Sequence, residues 1–182
     1  MDRSAALIGL LAGDQAEDRA VLAGEPAYVA LRDRDRARRE AVLDLLADGW
    51  PDDADALYAA AWVLNHGDLS EEAALGSRLA TLAADKGHPG ARWLAAAALD
   101  RSLIYAERPQ KYGTNIVPDG IGWRLWDVDP ATTDEERIAH DVPPLAEMQA
   151  RAASLTTPQP DMAGAPESLR RAMRRWGTLP PE

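Results

Sequence analysis

Apolar residues recur every three to four positions through most of the chain, and no stretch alternates strictly as a half-buried strand would. Ala, Leu, Arg and Glu dominate, all of them good helix formers. Residues 2–23 predict a first helix with a break near Gly13. Residues 28–48 predict a second. It presents Val29, Leu31, Ala37, Ala41, Val42, Leu45 and Leu46 to a core and turns a dense Arg/Asp face outward. Gly49-Trp50-Pro51 stops it, because the residue before a proline avoids the helical region. Asp52 or Asp53 caps a third helix that runs to Asn65 or His66 and ends at Gly67. Ser70 caps a fourth, with Glu71 and Glu72 in the first turn where the helix dipole favours them. It reaches about Lys86, and Gly87-His88-Pro89-Gly90 breaks it. A fifth helix over 91–106 is apolar on most faces and belongs at the centre.

The pattern then changes. Over residues 107–142 Pro, Gly, Asp and Trp crowd together and no period holds. An irregular region of that length usually binds something. Short strands fit at Ile116-Val117 and at residues 123–126. Helix resumes over 143–154, with Pro143 and Pro144 at its start. Residues 155–166 read as a linker, and 167–176 as a last helix carrying Arg170, Arg171, Arg174 and Arg175, a solvated basic tail. The fold class is therefore mainly α. A compact helical domain spans residues 1–154, with an inserted binding loop at about 107–142 that has room for short strands. A linker and a short basic helix follow over 155–182. His66-Gly67 and Gly87-His88 resemble the turns of helical repeats, but at a spacing shorter than the usual periods.

Composition narrows the function. A net charge of -10 disfavours nucleic acid and anionic membrane surfaces as partners. With no cysteine there are no disulfides, no thiolate catalysis and no cysteine-bound metal, which fits a cytoplasmic protein. The apolar N-terminal stretch is too short to span a membrane and lacks the basic start of a signal peptide. No phosphate-binding glycine motif and no nucleophile elbow is present, so no cofactor is implied. His66, Asp68, Glu71 and Glu72 lie close in sequence, yet no second histidine has a ligand spacing, and metal is not expected.

The run Gln110-Lys111-Tyr112-Gly113-Thr114-Asn115 concentrates amides, a phenol and a hydroxyl around one glycine. Such a set suits hydrogen bonding to a group held near the backbone, or else a polar turn. In an extended segment Tyr112 and Thr114 share one side and can hold a substrate oxyanion, with Gln110 beside them. The other reading of Tyr112 is a core aromatic. His66 is the acid–base candidate, since its pKa lies near neutral; at a helix end it equally suits a cap. His88 and His140 carry no such signal. Arg101 either forms an internal staple with Asp100 or binds an anion, and Arg19 either pairs with Asp14 or Glu17 or converges with Arg101 on a carboxylate or phosphate.

In order along the chain come Asp14-Gln15 with Arg19, the Arg/Asp-rich helix ending Gly49-Trp50-Pro51, and the stretch Ala61–Gly67. Asp100-Arg101, the Gln110–Asn115 run, Arg137 and Pro144-Leu145 follow. This succession, over about residues 14–147, resembles a bacterial family of unknown function, DUF6624. The chain departs from the family at Asn65 and Asn115, where Gln is usual. The resemblance implies no reaction.

Two functions follow as expectations. One is a small cofactor-independent acid–base enzyme of hydrolase, lyase or cyclase type, acting on a small polar or anionic substrate. His66 and Tyr112 would be catalytic, and Arg19, Arg101, Gln110, Thr114 and Asn115 would bind substrate around one pocket. The other is a helical interaction module whose acidic surface takes a basic partner.

Overall fold

A helical core and a smaller second layer share one helix. The computed structural model describes residues 2–19 and 25–180. The first helix, α1 (Arg3–Gln15), starts where Asp2 accepts the amide of Ser4 and runs unbroken through Gly13. Residues 20–23 of the expected longer helix lie outside the described residues. Helix α2 (Pro26–Leu46) opens with Pro at its first position, where no amide partner is needed. Helix α3 (Ala54–Asn65) is capped by Asp53, which accepts from the Ala56 amide at 2.8 Å. Helix α4 (Ser70–Asp85) is capped by Leu69 and not by Ser70, whose hydroxyl instead donates to the carbonyl of Ser102. Gly90 supplies the left-handed turn (φ +79°) that starts α5 (Ala91–Tyr105).

Helices α1 to α5 enclose the first core, around Leu7, Val42, Leu57, Leu64, Leu79 and Leu94. Trp62 and Trp93 pack on its edge. Alanines on α3 and α5 let the helices approach closely. At Gly76 of α4 a Cβ would meet the Ala61 carbonyl at 3.1 Å, so a side chain there would push that crossing apart by a few tenths of an ångström. Each fully buried Leu adds roughly 1.5–3 kcal/mol.

The opposite face of α5, through Ala96 and Leu99, roofs a second core of Tyr112, Leu125, Val142, Met148 and Ala152. Strands β1 (Ile116–Pro118) and β2 (Trp123–Leu125) form an antiparallel hairpin in which Ile116 faces Leu125. Its turn is held by Asp119, which accepts from the amides of Ile121 and Gly122. A short helix, α6 (Asp134–Ala139), follows a capping box of Thr133 and Glu136, and α7 (Leu145–Ala153) packs against the hairpin.

Two expectations are corrected. The charged face of α2 is not all outward, since its buried stripe runs Leu31, Asp35, Arg39, Val42, Leu46, while Val29 and Ala37 are exposed. The last helix, α8 (Glu167–Trp176), is docked and not a solvated tail. Ala172 and Met173 are buried, Trp176 meets Trp126 edge to face and donates to Asp127, and Arg171 pairs with Glu107. Among the described residues, no helix is long and apolar enough to cross a membrane.

Candidate functional site

Helices α1, α2 and α3 converge on a buried ionic cluster. Asp14 lies in the last turn of α1 and Asp35 sits mid-α2; each is 1 % exposed. Arg19 reaches both carboxylates, Arg38 joins Asp35 to Glu17, and Arg32 joins Asp35 to Asp68. Burial works against the charge of Asp35, but the hydrogen bonds from Arg19 and Arg38 outweigh it and hold the carboxyl at about 2. Glu17, between Arg34 and Arg38, is likewise held at about 2.

His66 is the C-cap of α3, and its Nδ1 lies 2.9 Å from Oδ1 of Asp14. Because Asp14 accepts from Arg19 as well, Nδ1 carries the proton and Nε2 presents its lone pair. Among the described residues Nε2 has no partner. It belongs to a cavity of about 210 Å³ lined by Asp14, Gln15, Glu17, Arg19, Trp62 and His66. Burial lowers the pKa of His66 below its ordinary value, opposed by Asp14 and reinforced by Arg19 and Arg101. Asp14, Asp35 and His66 also bring ligand atoms within 4.8 Å of one another. A cation there would meet three guanidinium groups already bound to those carboxylates.

The α3 C-terminus turns its last carbonyls to cations. Arg101 donates to the Asn65 carbonyl at 2.6 Å, and Arg32 and Arg39 donate to that of His66 at 3.1 and 3.3 Å. Helix ends leave such carbonyls without internal partners, and the dipole favours positive charge there. Arg101 also lines a second, larger cleft of about 970 Å³, between the start of α4, the end of α5, β1 and the start of α8. Asn115 holds it there, accepting from Nε and Nη2 of Arg101.

Three residues expected at the site belong to the loop itself. Gln110 is fully buried and spends its amide on Asn115 and on the carbonyl of Trp126. Thr114 gives both its amide and hydroxyl to Asp100. Tyr112 is a core aromatic whose hydroxyl meets Nε2 of His140 at 3.1 Å. It lines neither cavity, so His66 and Tyr112 do not share a pocket. Arg19 and Arg101 do not form one clamp either: Arg19 is on the small cavity with two carboxylates, Arg101 on the cleft. Asp100 is no staple for Arg101. Its carboxylate accepts from the amides of Lys111, Tyr112 and Thr114 and from the Thr114 hydroxyl. Burial pushes its pKa up against those donors.

Comparison with family models, with curated proteins and with solved structures finds no match. The site is therefore read from its own geometry. Asp35 and Arg32 were not expected in it. The signal for Asp35 was the four-residue spacing that sets it and Arg39 between Leu31 and Val42 on one face of α2; Arg32 carried none.

Proposed function

We propose that the protein is a cofactor-independent acid–base enzyme acting on a small polar or anionic substrate, with His66 moving the proton. The supporting observation is the Asp14–His66 bond at 2.9 Å, with Nε2 unpartnered on a cavity. A buried carboxylate at Nδ1 fixes the ring's tautomer and stabilises the imidazolium that forms when Nε2 takes a proton. The lowered pKa keeps the ring neutral near pH 7, ready to act as a base. Arg19 places positive charge at the cavity edge, where a developing anion gains from it. Hydrolysis, elimination and cyclisation all suit this set. The acidic net charge argues against a nucleic-acid substrate, and the absence of cysteine suits a cytoplasmic setting. The motif order that resembles DUF6624 supports a bacterial origin.

The test is incubation of the protein with a small-metabolite library, read by mass spectrometry, beside His66→Gln. The expected result is a compound consumed by the wild type and spared by a folded H66Q, with a pH–rate profile that Asp14→Asn displaces. Consumption that H66Q leaves intact would remove His66 from the chemistry.

A further inference from the structure

The cleft on the far side of the α3 terminus carries a guanidinium that no carboxylate pairs among the described residues. Every other guanidinium named in the ionic cluster faces a carboxylate. Arg101 has none among the described residues; its partners are the Asn65 carbonyl and the Asn115 amide oxygen. A guanidinium has five N–H donors. Arg101 uses one each on Nε, Nη1 and Nη2, which leaves one on Nη1 and one on Nη2. Two such donors match the two oxygens of a carboxylate. Burial depresses the Arg101 pKa, and Arg32 and Arg19 add like charge, so an anion placed there is attracted by more than one cation.

The rest of the cleft is of another character. Ile104, Ile116, Val117, Leu169 and Trp126 give it a largely apolar wall, and its volume is that of a small-molecule site. Asp68 and Glu71 also line the cleft. They repel a doubly charged phosphate more than a singly charged carboxylate.

We propose that this cleft binds an organic monocarboxylate with an apolar body, the carboxylate on the two free N–H groups of Arg101 and the body against Ile116 and Leu169. Asn115 is a positioning residue, because its amide oxygen fixes the guanidinium and its nitrogen is spent on Ala97 and Thr114. The binding does not depend on turnover at His66.

Isothermal titration calorimetry on the full chain tests it, with acetate, hexanoate, octanoate and 3-phenylpropionate as probes, and with octanol and octyl phosphate as matched controls. Affinity should rise from acetate to octanoate. Octanol should bind about tenfold or more weakly than octanoate, as loss of a charge-assisted contact implies. Arg101→Gln should lose a similar factor. Because Arg101 also caps α3, Leu169→Trp provides a second variant: it fills the cleft, leaves Arg101 in place, and should abolish octanoate binding. Equal affinity for octanol and octanoate, tighter binding of octyl phosphate, octanoate binding that survives L169W, or no binding by any probe at millimolar concentration would each overturn the proposal. None of these outcomes bears on His66, since the measurement reads binding alone.

Discussion

Replacing Asp100 with Asn should destabilise the protein by about 2–4 kcal/mol, and the figure follows from four hydrogen bonds. The carboxylate accepts from Lys111 N at 2.7 Å and Tyr112 N at 2.8 Å on one oxygen, and from Thr114 N at 2.9 Å and Thr114 Oγ1 at 2.8 Å on the other. Asn keeps the shape but has one acceptor oxygen. Facing it toward Lys111 and Tyr112 leaves the amide nitrogen against Thr114. The Thr114 hydroxyl can turn and accept, but its backbone N–H is orphaned, at about 1–3 kcal/mol. The surviving bonds lose their charge, roughly another 1 kcal/mol each. Relief from burying a charge returns part of this, since burial already pushes the Asp100 carboxyl up. Thr114→Val, which removes only the hydroxyl, should cost about 1–2 kcal/mol. Urea unfolding followed by tryptophan fluorescence reads both, as a lower midpoint at unchanged slope. A D100N midpoint within error of wild type would show that the carboxylate does not hold the Gln110–Asn115 loop.

The Asp35 carboxyl is held at about 2 in the fold, below its ordinary value of 3.8. A depressed carboxyl stabilises the fold above its unfolded pKa and loses that contribution as pH falls through the folded one. Some 2 kcal/mol of stability should therefore disappear between about pH 4 and pH 2, and Asp35→Asn should flatten that slope in acid unfolding curves. His66 is also lowered, so the unfolded chain binds its proton first. Stability should rise with pH just below 6.5 and level off above it, separately from the acid-range change due to Asp35, and H66Q should remove that upper rise. If the H66Q curve keeps the rise, another group is responsible. Met173→Ala empties a buried contact of α8 and should cost about 2–5 kcal/mol by thermal or urea unfolding, whereas a loosely held tail would show almost no change.

Where a single physical signal sets an element, the sequence announces it. The last helix follows Pro166 and ends at Gly177, the hairpin lies in the two expected segments, and α5 is central because both its faces are apolar. Helix α6 went unread although Thr133 and Glu136 form the three-residue spacing of a capping box. The stripe of α2 was hidden for a different reason. Asp35 and Arg39 occupy core-facing positions, and the charges there are met in part by Arg19 and Asp68, which lie far away in the chain, beside Arg32 and Arg38 on the same helix. Asp100 and Arg101 illustrate the same limit in miniature. Adjacent on a helix, their side chains turn well apart, so one holds a loop and the other lines a cleft. Chain proximity suggested a staple between them.

The ionic cluster is a poor source of stability for its size. Buried pairs recover in Coulomb energy little more than they lose in desolvation, and apolar residues of the same volume often do as well. What distinguishes the cluster is where its cations end. Arg32 and Arg39 fix the carbonyl of His66, and Arg101 fixes that of Asn65, one residue before. Apolar side chains would fill that space but could not hold those carbonyls. The His66 ring is then set from both sides, by its own backbone and by Asp14 at Nδ1. The small cavity and the large cleft thus share one rigid support at the end of α3. The two proposed sites therefore rest on one element, and among the described residues Arg101 is the cation of this group without the carboxylate that the others received.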